Sequence, residues 1–153
     1  MKRALDFAYR VQKRLWKLFR PHTRGVKVML FNAADEILLI RNSYGRSDLF
    51  VLPGGGIRPF EQPARAARRE VGEELGCEVG GLDPVSTHFS SAEGKRDTIH
   101  LFAGRIEGDV QTDGFEVEEA RYFPLDALPE NISAATLRRI EERVGKRQKD
   151  DRW

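Results

Sequence analysis

One cysteine, two methionines, three histidines and seven prolines in 153 residues exclude several classes of protein at once. A lone Cys77 cannot form an internal disulfide. Without a C-x-x-C pair or a Cys/His cluster, nothing points to structural zinc. No apolar run approaches the length of a membrane span. The basic N-terminus is interrupted by polar residues before the apolar stretch of a signal peptide can develop. Internal repeats and low-complexity blocks are also lacking. The composition therefore predicts a cytoplasmic protein, and the length suits one domain with one sizeable core.

Charge is present and unevenly placed. Residues 1–24 hold eight basic side chains and one acidic, a net of +7, and the remainder holds 18 basic and 23 acidic, a net of −5. The overall balance of +2 thus reports mostly an N-terminal arm. Residues 3–20 read as an amphipathic helix ended by Pro21. Leu5, Ala8, Val11, Leu15, Trp16, Leu18 and Phe19 occupy one half, and Arg3, Arg10, Lys13, Arg14 and Lys17 the other. This pattern suits a helix packed on its own domain or in a homodimer, and equally a membrane-peripheral helix lying on a lipid surface. Nucleic acid is disfavoured as a partner, because no aromatics interleave with the basic face. The organisation read is a basic arm at 1–22, one folded domain at 23–145 and a flexible tail at 146–153.

Val26 to Phe31 and Ile37 to Ile40 are β-rich runs joined by a hairpin pattern. Leu49 to Leu52 predicts a short strand running into Pro53-Gly54-Gly55-Gly56. Val85 to Phe89, Thr98 to Ile106 and Val117 to Phe123 predict further strands. Ser133 is placed to cap a last helix through Val144. Between these lies a helix with Pro63 in its first turn and Gly76 as its stop. Gly72 inside it costs about 1 kcal/mol against alanine and hints at a close backbone approach. His22, His88 and His100 show no ligand spacing, and His88 and His100 are expected to face each other across strands. Strands mixed with helices give the α/β class.

The helix carries Glu70, Glu73 and Glu74 at i, i+3 and i+4, on one arc of its surface. Two of them occupy the last turn, where the helix dipole disfavours anions. At about 5 Å and an effective dielectric of about 20, each pair repels by roughly 3 kcal/mol. A hard divalent cation with oxygen ligands accounts for that clustering where helix stability does not. Arg41 ends a strand, where a cation can meet an anionic ligand.

The run from Gly55 through Glu61 and Arg69-Glu70-Val71 to Glu73-Glu74 and Gly76-Cys77 matches the pattern G-x5-E-x7-R-E-U-x-E-E-x-G-U at every defined position, with Cys77 in place of the usual bulky aliphatic. With average residue usage, a chance match is on the order of one in ten million. The segment resembles the signature of the Nudix hydrolases. That resemblance implies a mixed central β-sheet sandwiched between helices, with the N-terminal amphipathic helix as an extra. It implies hydrolysis of the diphosphate linkage of a nucleotide-type small molecule, with Mg2+ as cofactor and Mn2+ as a substitute. By motif position, Glu70, Glu73, Glu74 and the Gly54 carbonyl are the metal ligands, and Arg69 orients the glutamates. Gly55, Glu61 and Gly76 are architectural. Glu73 is the first candidate for general base, and Glu116 the second, with Glu118 and Glu119 competing. Glu93 in the loop after Ser90 is a weaker candidate. The family's accessory substrate markers do not occur, so the particular diphosphate stays open. The alternative is a Nudix module that binds a nucleotide or RNA without turnover, against which all three glutamates are retained.

Overall fold

Alternation of apolar side chains builds a sheet with two buried faces. The structure, a computed structural model, describes residues 22–91, 96–106, 108–112 and 114–153. In β1 (His22–Phe31), Val26, Val28 and Leu30 join one core cluster, and Met29 and Phe31 join another. β2 (Ile37–Asn42) divides the same way, with Leu38 and Ile40 on the first side and Ile37 and Leu39 on the second. β3 (Val79–Ser90), β4 (Arg96–Ile106) and β5 (Val117–Phe123) complete a mixed sheet of order β3-β4-β1-β2-β5, in which β1 and β4 are parallel and the other neighbours antiparallel. Helix α1 (Pro63–Leu75) packs Ala66, Ala67, Val71 and Leu75 onto the first face. Helix α2 (Ala134–Arg143) packs Ile140 onto the second. The expected sheet between helices is the fold observed. The helix expected over residues 3–20, with its dimer or membrane contact, lies outside the described residues, as does Glu93. Among the described residues no helix is long and apolar enough to cross a membrane.

The helix ends follow local chemistry. Gly76 closes α1 at φ +60, a left-handed conformation that suits glycine, and a Cβ there would lie 2.8 Å from the Gln111 carbonyl. Ser133 caps α2, accepting from the Thr136 amide at 3.2 Å. Val144, expected inside this helix, is its C-terminal cap.

One departure from the sequence reading positions the site. Leu49 to Leu52 forms no regular strand, only isolated bridges from Val51 to Ile40 and from Phe50 to Ile132. The main chain that follows is wedged between β1 and β2, whose direct register is confined to Leu30 with Leu38 and Phe31 with Ile37. Val28 N donates to Pro53 O at 3.0 Å, Val26 N to Gly55 O at 2.9 Å, and Ile57 N to Arg24 O at 2.9 Å. The wedge satisfies the β1 edge that β2 leaves open. It also carries the glycine turn across the N-terminal half of β1.

The C-terminal segment 146–153, expected to be flexible, is docked instead. Phe89 N donates to Asp151 O at 2.7 Å and Trp153 N to Phe89 O at 2.8 Å, in a parallel bridge along edge strand β3. Trp153 packs into the second core, and its ring lies 5.8 Å from that of His88. The pairing covers part of an otherwise open sheet edge. Hydrogen bonds to one exposed phenylalanine leave no hydropathy signal, so this contact was invisible in sequence.

His88 and His100 do not face one another. His88 sits opposite Ile99 and His100 opposite Thr87, which puts the two rings on opposite faces. His88 is 2% exposed, bonded to Ser86 Oγ at 2.6 Å and to the guanidinium of buried Arg139, which also reaches the Asp150 carbonyl at 3.0 Å. Burial, and then the Arg139 charge, hold the His88 pKa below its ordinary value. A depressed folded-state pKa means the unfolded chain binds the proton more tightly. The stabilisation is therefore complete above about pH 6.5 and is lost as pH falls through the folded-state value. Calorimetric unfolding between about pH 7.5 and pH 5 should show a steeper loss of Tm for the wild type than for His88→Gln.

Candidate active site

The glycine turn and α1 meet over the first face of the sheet. Gly54, at φ +128, presses so closely on β1 that a Cβ would lie 2.3 Å from Val26 O. A Cβ on Gly55 would lie 2.7 Å from the Glu70 carboxyl carbon and both its oxygens. These glycines let the turn lie flat against β1 on one side and the acidic helix on the other. Gly72 differs, because a Cβ there would find only Cys77 O, at 4.0 Å. The close approach expected at Gly72 is not observed.

Arg69 is the hub of the acidic face. Its Nε and Nη2 each donate at 2.9 Å to the two oxygens of Glu61. Nη1 reaches Glu70 at 2.7 Å and Glu73 at 3.0 Å, and Nη2 also reaches Gly56 O at 2.8 Å. The bidentate fork of Arg69 thus goes to Glu61, and a single nitrogen serves Glu70 and Glu73 together. Glu61 also accepts from the Arg58 amide at 2.9 Å. With the Arg69 hydrogen bond the main cause, its pKa is pushed down to about 2. Arg69 in turn is held above its already high value, chiefly by Glu61. These contacts brace the loop against the helix.

The three glutamates occupy different surroundings. Glu73 is half exposed and is shared by Arg69 and, at 3.2 Å, Arg58. Glu70 is mostly buried, and its pKa is raised because burial outweighs the Arg69 contact. Glu74 is 8% exposed and accepts from the Gly54 amide at 2.8 Å. Its pKa is raised to about 7, first by burial, with further repulsion from Glu70 and Glu116. Glu116 is therefore within electrostatic reach of Glu74. Its main chain is pinned by Ser43, whose amide donates to Glu116 O at 3.0 Å. Glu119, its competitor in sequence, is committed to Arg41.

Arg41 has partners outside this cluster. It donates from Nε to Glu119 at 2.8 Å and from Nη1 to Ser47 O at 3.1 Å, and its guanidinium lies 5.7 Å from the Phe50 ring centre. The residue that sequence reading missed is Lys27. Its Nζ donates to Leu52 O at 2.8 Å and to Gly54 O at 2.9 Å, the carbonyl expected to bind metal. One signal was available: Lys27 interrupts the β1 face that otherwise carries Met29 and Phe31.

Among the described residues no three acidic, histidine or cysteine side chains already converge as a metal cage. The carboxylates of Glu70 and Glu73 turn instead to guanidinium groups. The donor set nevertheless fits a hard divalent cation. It consists of oxygens alone, and it includes a buried carboxylate whose charge burial disfavours.

Fold and site together define a hydrolase of pyrophosphate bonds. A family model described as NUDIX domain matches residues 21–146, and the chain belongs to the Nudix family. It is 32% identical over 111 residues to a Bacillus subtilis (strain 168) protein provisionally named an 8-oxo-dGTP diphosphatase, covering 71% of this chain and 70% of that one. It is 37% identical over 92 residues to an RNA pyrophosphohydrolase of Rickettsia africae (strain ESF-5), covering 60% of this chain and 57% of that one. The structure of a MutT NUDIX hydrolase from Burkholderia pseudomallei superposes with a TM-score of 0.70 at 24% identity, over 78% of this chain and 96% of that chain. With a relative named for an RNA substrate, the expectation that nucleic acid is not a partner has no support.

Because the folded-state pKa of Glu74 lies above its unfolded value, its stabilising contribution is complete below about pH 4.5 and is lost as pH rises through about 7. In chelator-treated protein, Glu74→Gln should therefore raise stability at about pH 8 by up to about 3 kcal/mol and leave it unchanged near pH 4.5, as read by denaturant titration. Gly54→Ala should cost more than about 3 kcal/mol, since β1 main chain cannot retreat. Gly55→Ala should cost less, because the Glu70 carboxylate can swing away.

Proposed function

We propose that this chain is a magnesium-dependent pyrophosphohydrolase, with manganese as a substitute. It cleaves the diphosphate linkage of a nucleoside diphosphate derivative or nucleoside triphosphate by attack of water on phosphorus. The observation that carries this reading is the acidic arc of α1 held against the Gly54–Gly55 turn, with one glutamate buried and one half exposed. Glu70, Glu73, Glu74 and the Gly54 carbonyl would hold the cation. Bound there, it supplies neutralisation of phosphate oxygens and a more acidic water.

The chain's own residues divide the remaining work. Arg69 fixes the direction of Glu70 and Glu73 through one nitrogen, and Glu61 fixes Arg69. The Gly54 amide fixes Glu74. Glu73 is the accessible carboxylate and takes the proton from the attacking water, with Glu116 as the second candidate. Arg58 and Arg69 flank it with positive charge suited to a polyphosphate chain. Two substrate classes are favoured by the names of relatives: an oxidised purine nucleoside triphosphate and the 5′-phosphorylated end of an RNA.

A panel of 8-oxo-dGTP, the ordinary nucleoside triphosphates, a nucleotide sugar and a 5′-triphosphate RNA oligonucleotide, assayed with Mg2+ and with Mn2+, tests the reading through release of phosphate or pyrophosphate. Glu73→Gln and Glu74→Gln should each lower kcat at least about a hundredfold while the far-UV dichroism is retained. Wild-type rates in both variants would place the metal elsewhere. Tight binding of one compound without turnover would favour a nucleotide- or RNA-sensing module.

A further inference from the structure

Lys27 holds two main-chain carbonyls with one ammonium, and one of them is the Gly54 oxygen at 2.9 Å. The same charge lowers the proton affinity of both Glu70 and Glu74, so it lies within electrostatic reach of the two less exposed members of the acidic arc. The charge balance explains why a cation is placed there. Five carboxylates, Glu61, Glu70, Glu73, Glu74 and Glu116, face three cations, Arg58, Arg69 and Lys27. The two arginines bond to Glu61, Glu70 and Glu73, and neither reaches Glu74, whose hydrogen bond among the described residues comes from the Gly54 amide. A strand residue that served only to tie down the turn would need donors but no charge. Lysine supplies both, from the half-buried N-terminal part of β1.

We propose that Lys27 is the internal counter-cation of the carboxylate site, neutralising Glu70 and Glu74 when no metal is bound and competing with a divalent cation for the Gly54 carbonyl. With a cation at the site, the Lys27 ammonium would give up the Gly54 oxygen and keep Leu52 O. Lys27 thereby sets how tightly the site holds metal. It is a positioning residue, and the inference rests on the metal reading given above.

The test uses the full chain, stripped of metal, as wild type, Lys27→Met, Lys27→Gln and Lys27→Arg. Mn2+ affinity is read by the loss of the free-ion electron paramagnetic resonance signal, and stability by calorimetry with and without Mn2+. Lys27→Met and Lys27→Gln should bind Mn2+ about tenfold more tightly than wild type while unfolding at lower temperature without metal. Lys27→Arg, which keeps the charge, should stay near wild type in both. A folded Lys27→Met or Lys27→Gln with unchanged or weaker Mn2+ affinity overturns the competition and leaves the metal reading standing. Wild-type protein that takes up no Mn2+ overturns both.

Discussion

Everything distinctive in this molecule depends on a stretch of main chain driven between two strands. The backbone of residues 51–57 takes hydrogen bonds that a continuous β1–β2 ladder would otherwise use, at Val26, Val28, Ile40 and Arg24. The cost of breaking a ladder is offset because the amides of Val26, Val28 and Ile40 find new acceptors. The same insertion fixes the glycine turn against a rigid sheet rather than at the end of a loop. A site held this way has little freedom to drift, which suits chemistry that depends on placement.

Electrostatics then decide how the acidic helix survives. Three glutamates at helical spacing repel one another, and two of them sit at the end of the helix that the dipole makes unfavourable. Arg69 answers most of this, but its geometry favours Glu61 with two parallel bonds and leaves one nitrogen for Glu70 and Glu73. Glu74 is left to the Gly54 amide and the field of Lys27, and burial still holds its pKa above the ordinary carboxylate value. A poorly compensated buried carboxylate costs stability, and the cation site proposed for Glu74 would account for that cost. The second buried charge cluster, His88 with Arg139, has a different purpose. It joins β3, α2 and the C-terminal segment, and it lies on the face of the sheet opposite the acidic helix.

Sequence reading succeeded wherever a local rule set the outcome. The span of α1, its Pro63 start and Gly76 stop, the Ser133 cap and β5 follow from short-range chemistry. It failed where a residue's partner lies far along the chain. Lys27 was not singled out, because the carbonyls it binds belong to residues 52 and 54. The tail looked loose because its partner is the main chain of Phe89. The close approach inferred at Gly72 rested on a helix-propensity cost, and the groove beside it is open.

The sequence by itself determined the family, the acidic arc and its flanking glycines, since periodicity and spacing are properties of neighbouring residues. Only the tertiary structure decided which glutamate is buried, which guanidinium bonds which carboxylate, and that an ammonium from β1 sits on the Gly54 carbonyl. Burial and charge pairing depend on distances through space, and those exist only once the turn at residues 53–56 has been pressed between β1 and the helix.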